Sequence, residues 1–373
     1  MKITVLQENF AKALSIVSKA VSNKPSIPVL SNVLLTAHKD SVKLSGTDLE
    51  MGVNITIPAE VESDGAVTIN AKLTSEYVLS LPAGRLVIEL TDNVLYISND
   101  QSSSKFSTIS AEDFPLIPTA TKDPTIEIGG SVFLDAISKV VIAAALDDNR
   151  PILTGILFES IDKDLVMVGV DGFRLSKKIM TFPKKLPEFK HVIPAKALTE
   201  LLHVIDSTDS KEMVKIFILS DKNQVVFSYR DIEVSSRILE GEFPDYRSIL
   251  PTSHTISFSM NKDQLNAKIK IVSVFAKNVI GNKTVFELKA DESMLYLSSS
   301  APELGENSSK LEVTECVGGD LKTAYNARYL QSMLTVMMSD EILFETNGPT
   351  LPAVFKDPKD KDFLHIVMPM KLD

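Results

Sequence analysis

Apolar positions along this chain alternate between a helical and a strand-like regime, and the alternation recurs three times. Phe10, Leu14, Val17 and Val21 are spaced i, i+4, i+7 and i+11, which places them on one helical face. Phe133, Ile137, Val140 and Ala144 repeat that spacing, as do Leu265, Ile269, Val272 and Ala276. A second marker is the tetrapeptide Ile69-Asn70-Ala71-Lys72, echoed by Ile193-Pro194-Ala195-Lys196 and by Tyr325-Asn326-Ala327-Arg328. Each ends in a basic residue and is followed by apolar residues on one helical face. These are Tyr77, Val78 and Leu81; Leu201, Leu202 and Ile205; and Met333, Leu334 and Met337. Between copies one and two the markers shift by 123 and 124 residues, and between copies two and three both shift by 132. Two independent markers with matching offsets identify a repeat the size of a whole domain, too long for a solenoid unit.

The spacing predicts six helices, at 8–20, 72–80, 131–145, 196–204, 262–279 and 327–338. Between and after them the pattern turns to alternation. Strands are expected around Val42–Leu44, Val53–Ile57, Val87–Glu89 and Leu95–Ile97 in the first copy. The second copy has Leu165–Val168, Ile216–Ile218 and Val225–Phe227, and the third has Val285–Glu287, Met294–Tyr296 and Ile342–Phe344. Each copy therefore reads as an α+β domain, two helices packed on antiparallel sheet. Two joints are visible, Asp113-Phe114-Pro115-Leu116-Ile117-Pro118 and the stretch from Glu242-Phe243-Pro244 to Pro251. Phe-Pro followed by a second proline forces an extended connector. The expected domains are 1–121, 122–252 and 253–373.

Composition narrows the class. A chain of 373 residues exceeds what one core supports, which agrees with three domains. No run of 18 apolar residues suggests a membrane span, and Met1-Lys2-Ile3-Thr4-Val5 lacks the apolar core of a signal peptide. The single cysteine, Cys316, precludes an internal disulfide and fits a reducing compartment, so a cytoplasmic location is expected. His38, His191, His203, His254 and His365 never pair at metal-ligand spacing; neither a metal nor a cofactor is expected.

Catalytic patterns are weak. Asp48 and Glu50 read as alternating strand positions on one face without a cleft. Asp147-Asp148-Asn149-Arg150-Pro151 has the composition of a turn. No phosphate-binding glycine loop, nucleophile elbow or Ser-His-Asp order stands out. A non-catalytic protein is expected.

Charge is more telling. The net charge is −10, yet the six predicted helices hold ten basic residues against five acidic ones. They carry +5, leaving −15 on the remainder. Lys12 and Lys19 lie nearly opposite the Phe10/Leu14/Val17 stripe, and Lys270 and Lys277 also fall off their helix's stripe. On isolated helices this is an ordinary solvated face. On repeated domains closed into a ring, it would form one cationic lining that attracts phosphates without reading bases. The residues leave two readings open: a ring around DNA, or a three-domain scaffold that binds peptides and no DNA.

Further stretches carry a family resemblance. These are Leu44-Ser45-Gly46-Thr47-Asp48-Leu49-Glu50-Met51, Val170-Asp171-Gly172-Phe173-Arg174-Leu175, Gly241 to Pro251, and the terminal Val367-Met368-Pro369-Met370-Lys371-Leu372. In this order and spacing, the chain resembles the β subunits of bacterial DNA polymerase III, the β sliding clamps. The resemblance implies the DNA clamp fold in a head-to-tail homodimer, six domains with twelve helices around a hole for double-stranded DNA. It implies a non-catalytic processivity role, opening by a separate ATP-driven loader, and recognition of the replicative polymerase, clamp loader and repair proteins through short linear motifs.

The resemblance also assigns residues. DNA-facing groups are Lys24, Lys72, Arg150, Lys196 and Arg328, joined by Lys12 and Lys19 from the helix faces. The peptide pocket takes Leu153, Thr154, Gly155, Val170, Gly172, Phe173, Arg174 and Leu175 from the second domain, and Pro244, Ser248 and Ile249 from the connector. From the third domain it takes Asn326, Tyr329, Leu351, Pro352, Val367, Met368, Pro369, Met370 and Leu372. The dimer interface pairs Lys105 and Phe106 with Ile271, Val272, Glu303 and Glu306. Phe173 and Ser248 depart from the family pattern, which often has histidine and a basic residue there.

Overall fold

The computed structural model describes residues 1–22, 27–120, 123–147, 149–205, 212–301 and 304–372. The first repeat contains β1 (Lys2–Leu6), α1 (Gln7–Val17), β2 (Asn32–His38), β3 (Ser41–Thr47), β4 (Met51–Pro58), β5 (Glu60–Ser63), β6 (Gly65–Asn70), α2 (Ala71–Ser80), β7 (Arg85–Thr91), β8 (Val94–Ser98) and β9 (Ser103–Ile109). The second contains β10 (Ile126–Gly129), α3 (Gly130–Val141), β11 (Gly155–Ile161), β12 (Asp164–Val170), β13 (Arg174–Thr181), β14 (Lys190–Pro194), α4 (Ala195–Val204), β15 (Met213–Leu219), β16 (Gln224–Tyr229) and β17 (Ile232–Arg237). The third contains β18 (Ile256–Asn261), α5 (Lys262–Ala276), β19 (Lys283–Lys289), β20 (Met294–Ala301), β21 (Gly305–Val317), β22 (Leu321–Asn326), α6 (Ala327–Leu334), β23 (Glu341–Thr346), β24 (Ala353–Asp357) and β25 (Asp360–Val367). Apart from the extra β5, every repeat runs strand, helix, four strands, helix, three strands.

The repeating tetrapeptides are helix starts. Asn70 accepts a hydrogen bond from the Leu73 N–H, and Asn326 accepts one from the Arg328 N–H. Asparagine at this position satisfies one of the otherwise unpaired first-turn donors. The helical stripes are buried as the periodicity requires: Phe10, Leu14, Val17, Phe133, Ile137, Val140, Leu265, Ile269 and Val272 are all fully covered.

Helix ends differ from expectation. The first helix stops at Val17 and continues as a 3-10 turn over Ser18–Ala20. The third stops at Val141 rather than 145, the fifth at Ala276 rather than 279, and the sixth at Leu334 rather than 338. Beyond each end the chain tightens into i→i−3 bonds, as in Ala144 N–H to Val141 O and Val336 N–H to Met333 O. Ala144 and Met337 remain buried in those turns, so apolar spacing outlasts the helix.

The strands form two antiparallel sheets, in two compact units. Unit one (1–134 and 196–238) holds the order β10-β15-β16-β17-β4-β3-β2-β6-β9-β8-β7-β1-β5. Unit two (135–195 and 239–373) holds β14-β11-β12-β13-β25-β24-β23-β18-β21-β20-β19-β22. The central repeat thus gives strands to both sheets. In unit one β4 pairs with β17, Ile55 opposite Ile232. In unit two β13 pairs with β25, Leu175 opposite Ile366. Both are the same event, the third sheet strand after a repeat's first helix joining the last strand of the next repeat.

Unit two packs its helices on an aromatic core. Phe258 stacks on Phe344 at 4.6 Å between centroids, and Phe355 meets Phe344 edge-on at 5.3 Å. Lys139 of α3 is also inside, 1% exposed, although its place on a helix counts it among the solvated basic groups. Its Nζ donates to Asp135 Oδ2 and Asp360 Oδ2, both at 2.7 Å, and Asp360 also receives Lys178 Nζ at 2.5 Å. Lys139 belongs to a buried ion cluster and is withdrawn from any outward-facing charge.

Candidate DNA-facing and peptide-binding surfaces

Within the observed helix bounds there are eight basic and five acidic side chains, so the excess is +3. Lys19 and Lys277 sit just past helix ends. Lys12 and Lys72 are exposed and make no ion pair among the described residues. Lys19 approaches Glu200 at 3.9 Å, and exposed Lys196 donates to Asp48 Oδ2 at 2.6 Å. Asp48 is not on a strand. It sits in the turn between β3 and β4, where its Oδ1 accepts from the Glu50 and Met51 N–H groups. Burial pushes its carboxyl up, but Lys196 and these backbone donors hold it below the ordinary value. Arg328 and Arg150 are exposed, while Lys24 lies outside the described residues.

The expected pocket residues lie in unit two, where two groups come together. Leu153, Val170 and Leu175 share one apolar cluster on the sheet face, with Ile249 packed against it. The second group forms around Arg174. Its Nε donates to Asp171 Oδ2 at 2.9 Å, Nη1 donates to Ser332 Oγ at 2.7 Å, and the guanidinium lies 4.3 Å from the Tyr329 ring centroid. Burial and then the Asp171 charge push the Tyr329 hydroxyl up, with Arg174 opposing.

Asp171 also builds the turn, since its Oδ1 accepts from the Phe173 and Arg174 N–H groups at 2.8 and 2.9 Å. Gly172 in this turn has φ +91°, where a side chain would be strained. The turn presents the Phe173 carbonyl to the Met368 N–H at 2.8 Å and leaves the Phe173 side chain 61% exposed. Met370 N–H in turn donates to Ala324 O at 2.8 Å. Gly281 has φ +73°, where a side chain would be strained, and it lies against the end of the Met370 side chain.

Several expected residues have other roles. Val367 is fully buried in the core under the helices, whereas its neighbour Ile366 joins the outer cluster with Leu175. Strand side chains alternate faces, so a one-residue error changes the side. Ile366, Val354 and Leu364 are the outer-face residues that sequence reasoning missed. Gly155 is buried where a β-carbon would collide with Val192 and Leu239 at 2.6 and 2.7 Å, so it permits close packing rather than lining a pocket. Asn326 is engaged as a helix cap. Thr154 and Ser248 bond their own loops, to Pro151 O and Asp245 O. Pro244, Leu351 and Leu372 are exposed, and Pro352, Pro369 and Met370 are half-buried.

The expected dimer residues divide as well. Lys105, Ile271 and Glu306 are exposed. Phe106 is 6% exposed with its ring 5.4 Å from Tyr77, and Val272 is fully buried. Both are covered by their own chain, Val272 as part of the buried stripe. Glu303 lies outside the described residues. Exposed apolar groups near these positions include Leu73 and Leu79 of α2, Ile271 and Val274 of α5, and Leu304 just before β21.

Behind the pocket, His365 is completely buried with Nδ1 2.7 Å from Ser176 Oγ, and its Nε2 has no partner among the described residues. Burial, with the Arg174 charge second, pushes the imidazole down to about 3. The unfolded chain therefore takes up this proton near pH 6.5, while the folded chain resists until far lower. Stability is expected to fall as pH drops below about 6.5, by about 2 kcal/mol at about pH 5. Urea titrations across that range should show the slope flatten in His365→Gln; an unchanged slope would assign it elsewhere.

Three α+β repeats with helices against edge-joined sheets define a DNA-clamp protein. Comparison with known proteins places it further. Family profiles of the DNA polymerase III beta subunit match in order, the N-terminal domain at residues 1–118, the central domain at 127–245 and the C-terminal domain at 247–371. The chain belongs to this family, the bacterial sliding clamps. A relative named Beta sliding clamp from Staphylococcus epidermidis is 26% identical over 380 residues, covering 100% of this chain and 99% of the relative. The crystal structure of the DNA polymerase sliding clamp from Bacillus subtilis superposes with a TM-score of 0.93 at 25% identity, with both chains fully covered. A sliding clamp from Pseudomonas aeruginosa bound to griselimycin gives a TM-score of 0.91 at 25% identity, again over both full chains. These likenesses support the clamp and not the DNA-free scaffold. Among the described residues, no helix is long and apolar enough to cross a membrane.

Proposed function

We propose that two copies of this chain close head to tail around double-stranded DNA and tether the replicative polymerase, the clamp loader and repair proteins without catalysing a reaction. The carrying observation is the strand rule. β4 pairs with β17, and β13 with β25. The next pairing in the series joins β21 to a β9, and within one chain both strands have an open edge. Among the described residues, 103–107 of β9 pair with β8 alone, and 305–312 of β21 pair with β20 alone. Open edges are normally capped or charged against association. Here they carry opposite charges, Lys105 on one and Glu306 on the other. The exposed apolar groups Leu73, Leu79, Ile271, Val274 and Leu304 accompany them. A heterologous contact of this kind makes a ring when its rotation closes.

In this reading Lys12, Lys19, Lys72, Arg150, Lys196 and Arg328 face the phosphates, and the sequence divisions near 121 and 252 mark the clamp domains. The pocket of Leu153, Val170, Leu175, Arg174, Tyr329 and Met368 receives client peptides, with griselimycin as a ready probe. The protein works in the cytoplasm. Light scattering should give a dimer, and protein assembled on nicked circular plasmid should stay bound through gel filtration until a restriction enzyme linearises the DNA. A monomer at working concentration, or equal retention on linear DNA, would sink the ring.

A further inference from the structure

Strand register on the outer face of unit two sets four side chains in one row. Leu175 of β13 is opposite Ile366 of β25, Ile366 is opposite Val354 of β24, and Val354 is opposite Glu345 of β23. The row begins in the apolar cluster of the peptide pocket and ends at a carboxylate. At its far end is a cavity of about 280 Å³. Val354, Leu364 and Ile366 form its floor, and the connector from Leu250 to His254 forms one wall. None of the residues expected for the peptide pocket lines it.

We propose that this cavity is a second subsite for the same client peptides and takes a basic side chain, arginine above all. The inference rests on the peptide-pocket reading and extends it. Glu345 is only 8% exposed at its side chain, and its Oε2 receives Lys356 Nζ at 2.6 Å. Its Oε1 faces His254 Nδ1 at 3.5 Å, too far for a good hydrogen bond, so the carboxylate keeps acceptor capacity. A guanidinium on a methylene stem matches both parts, the stem on the aliphatic floor and the fork on the carboxylate. A purely apolar side chain would strip water from Glu345 without replacing its bonds. An anion would meet a lysine already paired, on a chain of net charge −10. The volume is small for an independent organic ligand. Three strand spacings separate Leu175 from Glu345, about 14 Å, which an extended peptide covers in about four residues.

The test uses short fluorescein-labelled peptides with an adjacent leucine pair as the apolar anchor. A single arginine, alanine or glutamate is placed at successive positions to either side. Anisotropy titrations on the whole protein, with griselimycin as competitor, read affinity and site together. Arginine about four residues from the leucines is expected to bind about tenfold tighter than alanine at that position, with glutamate weaker than either. The gain should vanish in Glu345→Gln, and in Thr252→Phe, which narrows the mouth from an exposed wall residue; griselimycin affinity should hold in both. Thr252→Phe decides alone if Glu345→Gln lowers the melting temperature. Equal affinity for arginine and alanine at every position, or a gain surviving the blocked mouth, overturns the subsite and leaves the main pocket standing. Leucine peptides that fail to bind, or that griselimycin does not displace, overturn the pocket reading beneath it.

Discussion

Asp360→Ala is expected to remove about 3–5 kcal/mol of stability, a large share of what holds a domain folded. Asp360 accepts from Lys139 at 2.7 Å and Lys178 at 2.5 Å, and those side chains are 1% and 11% exposed. Without it, Lys139 keeps Asp135, but Lys178 is left as a nearly buried ammonium with no carboxylate among its described ion pairs. The cost is chiefly that of the stranded charge, so replacing the whole cluster by Lys139→Met, Lys178→Met and Asp360→Asn should be far milder. Burial pushes the Asp360 carboxyl up, but the two lysines outweigh it and the value is lowered. A depressed carboxylate stabilises above its unfolded value and loses that contribution as pH falls through its folded one. At neutral pH the cluster is therefore fully engaged. Urea unfolding of the single and triple variants measures both effects; a single variant within about 1 kcal/mol of the parent would refute the account.

The second large effect concerns DNA. Lys12→Ala, Lys72→Ala and Lys196→Ala together are expected to abolish most clamp-dependent processive synthesis on a primed circular template, with the proposed dimer intact. In a closed dimer this removes six cations, and each phosphate that is no longer neutralised lowers the logarithmic salt dependence of DNA retention by about 0.9. Lys196 is paired with Asp48, so its removal takes away one cation like the others and leaves that carboxylate without its lysine. Lys12→Ala alone should be mild, since one exposed lysine among many is replaceable. Unchanged synthesis and unchanged salt dependence in the triple variant would count decisively against a DNA-facing role for these helices.

Legibility in the sequence followed local chemistry. Helix starts were visible where the tetrapeptide marker recurs, at Ala71, Ala195 and Ala327, and the buried stripes were visible because helical spacing is strict. Helix ends were less visible, since Ala144 and Met337 stay buried in turns that are no longer helical. Lys139 shows the same difficulty for charge: a lysine on an amphipathic helix reads as solvated, and only tertiary packing against Asp360 internalises it. Around β25 both faces are covered, so Leu364-His365-Ile366-Val367 lacks the alternation that would have told Ile366 from Val367. The pocket's tail and the Asp171–Arg174 turn were recognisable as motifs, but the brace of Ser332 on Arg174 joins residues 158 positions apart in the chain.

Sharing strands between repeats has a consequence for anyone dividing the molecule. The connectors invite cutting, yet the central repeat excised there would lose the neighbours of both β13 and β17. Each fragment would then carry one donor edge and one acceptor edge of matching design. Such pieces should join head to tail, into rings or fibres according to whether the rotation of the contact closes; in the whole chain β4 and β25 occupy those two edges.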